Sequence, residues 1–252
     1  GVFTYFGCHV LKREIIFVDI ALAQLAALGI LIFESIDHQH SEWEIWLYSS
    51  TAVLAGAIFF AYTRRFIHRI PHEAGIGIVY VVGASVALLI ASKSAHGAEH
   101  LRNTLNGSIL WVTWPKIVTF LGMVALIAIP HWVYQDRFWK VSDQYRQIES
   151  KDSQFILWDF LFYLSLGLII VISVKTAGIF LIFTFLIVPA VVGALFSTQF
   201  KSQFLVGSIV STATSLIGLV LSFNLDLPTG ATLVCCFGLV FIFAIIVGNT
   251  QK

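Results

Sequence analysis

The sequence is poor in charge, poor in cysteine, and carries none of the short motifs that announce covalent chemistry. Only 12% of its 252 residues are Asp, Glu, Lys or Arg, too few to clothe a soluble domain of this size. Its three cysteines, Cys8, Cys235 and Cys236, fall in apolar stretches without CxxC spacing. An odd number so placed gives neither a disulfide framework nor a soft-metal site, and each thiol reads as a small hydrophobe. No GxxxxGK[ST] phosphate loop, GxSxG elbow or HExxH motif occurs; any nucleotide hydrolysis must come from another chain. A net charge of +1 with a pI near 7.9, and no basic tail, leaves no footprint for nucleic acid.

What is abundant is hydrocarbon. Hydrophobic residues make up 58% of the chain and mean hydropathy is +0.88, so lipid must be its solvent. A bilayer core is crossed by roughly 20 helical residues. Apolar runs of about that length lie at 15–33, 45–62, 74–91, 109–129, 155–174, 177–196, 204–223 and 231–247. These eight predict an all-α polytopic helix bundle, one transmembrane domain over 1–252. Ahead of them residues 1–11 form a stub too short to span, read as the truncated tail of an earlier segment. It lacks the basic leader and cleavage site of a signal peptide.

Orientation follows from lysine and arginine. With alternating connections, one side receives Lys12, Arg13, Arg64, Arg65, Arg69, Arg137, Lys140, Arg146, Lys151, Lys201 and Lys252, the other Lys93, Arg102, Lys116 and Lys175, a split of 11 to 4. Positive charge is retained in the cytoplasm. The turn at 12–14, the loops at 63–72, 131–154 and 197–203, and the C-terminus are therefore expected inside. The longest loop, 130–154, is polar, aromatic at one end and free of glycine. Its pattern suits a short amphipathic helix on the cytoplasmic surface, a docking element for a soluble partner; a solvated linker is the plainer alternative, although connections in bundles are usually shorter.

Three polar features interrupt the apolar runs. Asp19 in FVDIALAQLAALG is an ionisable group in a spanning helix, by default a functional candidate, with pairing to Lys12 or Arg13 as the structural alternative. Gln24 lies five residues on, roughly 140° away around a helix. The string HGAEH places His96, Glu99 and His100 within an arc of roughly 100° if helical, and imidazole with carboxylate suits a first-row divalent metal. It also matches the H-x-x-E-H signature of inverted zinc proteases, without the rest of such a protease; hydrated loop histidines are the other reading. His38 and His40 share a loop with Glu34, Asp37, Glu42 and Glu44, an acidic mouth that attracts cations or is merely solvated.

Read in order, HVLKREIIFVDIALAQLAALG, PHEAGIGIVYVVGAS, HGAEHLRNTLNGSILWV, FWKVSDQYRQIE, VKTAGIFLIFTFLIVPA and SFNLDLPTGATLV resemble the permease subunit of metal-ion ABC importers, the family that takes up zinc, manganese or iron. The resemblance runs from about residue 9 to 247. It implies an ABC-importer permease fold in a bacterial inner membrane, a homodimer, two copies of an ATP-binding ABC subunit, and an extracytoplasmic metal-binding protein. No permanently bound cofactor is implied; a divalent metal ion is the transported substrate. A cytoplasmic helix couples ATP hydrolysis to gating in such importers, and by order it falls at about 138–159, overlapping the loop at 130–154 that charge and length had singled out and implying a cytoplasmic coupling loop at about 131–158. Phe138, Asp143, Arg146, Glu149 and Asp159 are its candidate coupling residues.

Many members carry an aspartate and a histidine four residues apart where this chain has Ile20 and Gln24, with Asp19 displaced by one. The expected transport path therefore uses Asp19 differently, with His96, Glu99 and His100 supplying ligands from outside, or holds its ion by fewer fixed contacts. Pro189 and Asp226 also match family positions. Pro189 can kink its helix, and Asp226, Pro228 and Gly230 suit a turn, so structural or gating roles are expected of them. The expected activity is ATP-driven metal import by alternating access between two copies, with no covalent chemistry in this chain. Two other readings stand beside it: a membrane-embedded metalloenzyme built on HGAEH, whose remaining histidines are scattered over both faces, and an ion-coupled secondary carrier, which leaves the long loop unexplained. Zinc, manganese and ferrous iron accept the same ligands, so metal identity is not written in these residues.

Overall fold

The helices begin and end where the sequence supplies reasons. In a computed structural model, residues 1–36, 41–64, 71–93, 107, 112–145 and 153–249 are described, the side chains of 34–36, 42, 153 and 249 excepted. Ten helices lie among the described residues: α1 (Val2–Arg13), α2 (Val18–Ile36), α3 (Glu42–Thr63), α4 (His72–Ala91), α5 (Trp114–Val133), α6 (Gln135–Asp143), α7 (Ser153–Ala177), α8 (Ile179–Phe196), α9 (Phe200–Asn224) and α10 (Thr229–Asn249). Ser41 and Glu44 open α3 with a capping box, the Ser41 N–H donating to Glu44 Oε2 at 3.0 Å. Pro115 stands in the first turn of α5, where its missing N–H costs nothing. The joint between α7 and α8 is the single residue Gly178, held at φ 77, a backbone setting that side-chain-bearing residues avoid.

Each of the eight apolar runs is helical over most of its described residues. Seven helices are long and apolar enough to cross a membrane among the described residues, or eight if α1 and α2 are taken as one bent span. Between α1 and α2 the chain turns through 117°. Glu14 makes that turn in the left-handed region, φ 55, its N–H donating to the Leu11 carbonyl at 3.1 Å. The twelve residues of α1 are about 18 Å long at a helical rise, short of a bilayer core. Outward faces of the long helices are apolar: Ile58, Leu88, Leu121, Ile217 and Phe243 are all more than half exposed. A soluble surface does not carry so much continuous hydrocarbon.

The core lies where α2, α3 and α7 meet, around Leu22, Val53, Phe60, Phe162 and Leu166, all without exposure. α4 packs on α2 and α3; α1 packs on α8 and α9; α10 packs on α8 and α9. Lipid tails are as apolar as leucine, so membrane helices associate by close packing over small residues. Gly7 brings α1 against the Leu186 carbonyl of α8, where an added Cβ would sit 2.9 Å from the Ala190 Cβ. Gly207 does the same for α9 against the Pro189 carbonyl and Thr4. Pro189, whose nitrogen cannot donate within α8, is thus buried at a three-helix contact.

The expected surface helix in the loop at 131–158 is α6. It is nine residues long, following α5 directly after Tyr134; residues 131–133 belong to the last turn of α5, and 153–158 open α7. Phe138, Val141 and Ser142 face inward, while Asp136, Arg137, Lys140 and Asp143 are exposed, the division its amphipathic pattern demanded. Asp226 lies in the turn between α9 and α10 with φ 51, a left-handed conformation that aspartate tolerates better than most residues. Ser222 Oγ donates to the Leu227 carbonyl and meets Thr229 Oγ1, both at 2.8 Å, closing the turn that carries Pro228 and leads into Gly230.

Candidate functional site

A buried polar knot lies at the end of the bundle where α1, α3 and α6 finish and α7 begins. Asp159, in the second turn of α7, has no side-chain exposure. Arg13 Nη1 donates to its Oδ1 at 2.8 Å, and Arg64 Nη1 donates to its Oδ2. Each guanidinium then spends a second donor on the chain segment of α6. Arg13 Nε donates to Ser142 Oγ at 2.8 Å, and Arg64 Nη2 donates to the Tyr145 carbonyl at 3.3 Å. Aromatic faces complete the desolvation: the Arg13 guanidinium carbon lies 3.8 Å from the Phe162 ring centre and that of Arg64 4.4 Å from the Tyr145 ring.

The knot extends on both flanks. Ser142 Oγ lies 2.8 Å from His9 Nδ1 and donates to the Phe138 carbonyl at 3.0 Å. The Tyr145 hydroxyl meets that of Tyr163 at 2.9 Å, which meets His72 Nε2 at 3.3 Å, linking the segment after α6 to α7 and the start of α4. Burial raises the Tyr145 phenol well above its ordinary value, with the Tyr163 hydroxyl and the Asp159 carboxylate adding to the shift. Phe138 stacks on His131 with ring centres 3.9 Å apart and meets Trp158 edge-on at 5.2 Å. Outside, Lys12 Nζ pairs with Asp143 at 3.2 Å, both partly exposed.

The sequence candidates are divided by this arrangement. Of the coupling set, Phe138 and Asp159 are inside and Asp143 is on the surface; Arg146 and Glu149 lie outside the described residues. His96, Glu99 and His100, and with them His38 and His40, also lie outside the described residues. Among the described residues no group of three or more His, Cys, Asp or Glu side chains could hold a metal. Asp19 is buried in the first turn of α2, and no side chain partners either carboxylate oxygen; the positive end of α2 is its compensating field. Arg13 turns to Asp159 and Lys12 to Asp143, not to Asp19. One position on, Ile20 lines an apolar groove of about 670 Å³ between α2 and α4, with Phe17, Ala74, Gly77, Tyr80 and Val81. Gln24 is buried against Gly83. At the opposite end of the bundle a more polar cleft of about 660 Å³ is lined by Trp46, Lys116, Thr119, Ser173, Ser211 and Ser215, among others.

Arg13 was legible in the sequence as an orientation marker and as a partner offered to Asp19, and Arg64 only as an orientation marker. Their shared partner, Asp159, is 146 and 95 positions away, so no spacing rule could pair them. One signal was present: Asp159 falls inside the apolar run 155–174, and a carboxylate there demands a cationic partner.

Long apolar helices around a packed core, with an amphipathic surface helix pinned into their basic end, define a polytopic α-helical membrane protein. The model of the ABC 3 transport family matches residues 2–248, and the chain belongs to that family. It is similar to a "Probable metal transport system membrane protein" of Chlamydia muridarum, 24% identical over 243 residues, covering 93% of this chain and 80% of that one. It is also similar to the manganese transport system membrane protein MntC of Listeria innocua, 25% identical, covering 73% of this chain and 65% of that one. Its fold is that of a chain in the structure of PsaBC from Streptococcus pneumoniae in complex with Fab. There the TM-score is 0.76 at 20% identity, covering 96% of this chain and 85% of that one.

Proposed function

We propose that this chain is the permease subunit of an ATP-driven importer for a divalent transition-metal ion, manganese, iron or zinc, working by alternating access between two copies. The carrying observation is the wiring of α6. An amphipathic helix with an exposed charged face is fixed from behind by Arg13, Arg64 and Asp159, as a lever between a soluble motor and a membrane path must be. Membership of the ABC 3 transport family supports the ATP-driven reading, and metal transport named in relatives supports the substrate.

In this reading the basic end faces the cytoplasm of a bacterial inner membrane, as does the C-terminus, and two ATP-binding subunits dock on α6 through Arg137, Lys140, Asp143 and the following Arg146 and Glu149. Phe138 and Asp159 act from inside. A binding protein delivers the ion at the opposite face. His96, Glu99 and His100 are the candidate outer ligands and Asp19 the candidate intramembrane one, each for passing contact, since an importer must release what it binds. Pro189, Asp226, Pro228 and Gly230 hold helix contacts and the α9–α10 turn. No covalent step occurs in this chain, and ATP is hydrolysed by the partner.

The test is metal uptake in cells lacking the native gene and complemented with intact chain or with a His96→Ala, Glu99→Ala, His100→Ala variant of equal expression. Complementation that restores manganese, zinc or iron accumulation supports the importer; accumulation unaltered by the triple variant removes the cluster from the path.

A further inference from the structure

Eight of the ten described helices fall into two packing groups. One comprises α2, α3, α4 and α7; the other comprises α1, α8, α9 and α10; they touch along α7 with α8 and α2 with α8. At the basic end the seam is crossed by an ionic contact, Arg13 of α1 to Asp159 of α7. α6 lies over that crossing and packs on α1 and α7 at once. We infer that Arg13 and Arg64, acting through Asp159, are positioning residues that hold α6 across the seam, so that a displacement of α6 is passed to both helix groups together.

The inference rests on the reading of α6 as the coupling helix and adds what that reading does not contain: which residues transmit. Arg13, Arg64 and Asp159 have side-chain exposures of 0%, 1% and 0%, so none can touch a soluble subunit. Nor is stability a sufficient reason for them, because a buried ionic group is often no more stabilising than well-packed hydrocarbon of the same volume. What the group does provide is direction. Each Asp159 oxygen takes an arginine from a different helix, and each arginine uses another nitrogen for the α6 segment, Ser142 Oγ for Arg13 and the Tyr145 carbonyl for Arg64. A guanidinium presents a rigid planar fork that fixes two acceptors relative to each other, which an ammonium on a flexible stem does not. The two arginines are thus joints of defined angle between α7 and α6, one on each side of the seam's carboxylate.

Charge and fork are separable in the Arg13→Lys, Arg64→Lys double variant. Assembled with its ATP-binding subunits in proteoliposomes, it is expected to retain the copurifying ATPase. Stimulation of ATP hydrolysis by manganese-loaded binding protein, as a ratio to hydrolysis without it, and Mn²⁺ uptake should each fall by about tenfold, one order of magnitude in a coupling equilibrium. Stimulation and uptake at the wild-type level overturn the inference. If the lysine variant does not accumulate, Arg13→Met, Arg64→Met with Asp159→Leu replaces all three charges by hydrocarbon of similar volume and carries the same expectation. Wild-type coupling there overturns it too, and failure of both variants to accumulate assigns the triad to folding alone. Arg137→Glu with Lys140→Glu on the exposed face separates the two readings. If that variant keeps its ATPase and its uptake, α6 is not the coupling helix. If it loses them while the lysine variant transports normally, only the present inference falls.

Discussion

Arg13 and Asp159, 146 positions apart in the chain, meet at 2.8 Å where neither side chain has any exposure. Taking two charges out of water costs several kcal/mol each, so the contact is tolerable only because Arg64 takes the second carboxylate oxygen and Ser142 and Tyr145 take further guanidinium donors. Asp159→Asn removes the charge and leaves two buried cations facing an amide. The expected loss is about 3–5 kcal/mol, read as a lower midpoint of thermal unfolding in detergent. An unfolding midpoint equal to wild type would mean that the knot is not closed in the protein.

Close helix contacts give the second prediction. Gly7→Val places carbon against the Leu186 carbonyl and Ala190, and Gly207→Val against the Pro189 carbonyl; overpacking of this kind costs about 1–3 kcal/mol or more. Gly122 on α5 has nothing within reach of an added Cβ, and Gly122→Ala should be neutral or stabilising by up to about 1 kcal/mol. Thermal unfolding of the three variants side by side distinguishes packing from a general intolerance of helix glycines.

The Tyr145 phenol gives a pH dependence of known sign. Its value is raised above about 10, the ordinary phenol range, so the folded state holds the proton more tightly than the unfolded one. The contribution is fully present below pH of about 10 and is lost as pH climbs through the raised value. Tyr145→Phe should cost about 1–2 kcal/mol at neutral pH through the Tyr163 hydroxyl left short of a partner. It should also lose stability less steeply than wild type above pH of about 10. Parallel stability profiles for the two proteins would count against a buried, protonated Tyr145.

Asp19 tests a trade between stability and transport. No side chain compensates its carboxylate, so Asp19→Asn should be as stable as wild type or more so by about 1 kcal/mol, while metal uptake falls. A variant that unfolds earlier and transports normally per folded molecule would make Asp19 a structural residue.

The bundle was almost fully legible because its physics is one-dimensional: an apolar run of spanning length favours a helix, and each of the eight runs is helical over most of its described residues. The surface helix at Gln135–Asp143 was legible for a related reason, since Phe138, Val141 and Ser142 recur at helical spacing against a charged face. Asp226 and Pro228 marked their turn by backbone preference alone. The polar knot was not legible. Arg13 and Arg64 stand at helix ends where a basic residue ordinarily meets water and headgroups, and they were read for orientation. Only the tertiary fold brings them to Asp159, because α1, α3 and α7 converge there. Asp19 shows the opposite limit: its place in an apolar run marked it as a candidate, with pairing to Lys12 or Arg13 as the structural alternative, but those cations pair with Asp143 on α6 and Asp159 on α7.

The central claim is ATP-driven metal import through this subunit. Its most direct measurement is accumulation of Mn²⁺, Zn²⁺ and Fe²⁺ in proteoliposomes holding this chain, its ATP-binding subunit and the binding protein, with ATP on the ATPase side. Accumulation of at least one of these ions that requires ATP, and disappears when this chain is omitted or the ATPase is inactivated, is the predicted result. Equal metal accumulation without ATP, or no accumulation of any of the three by a complex whose ATPase responds to its loaded binding protein, would contradict it.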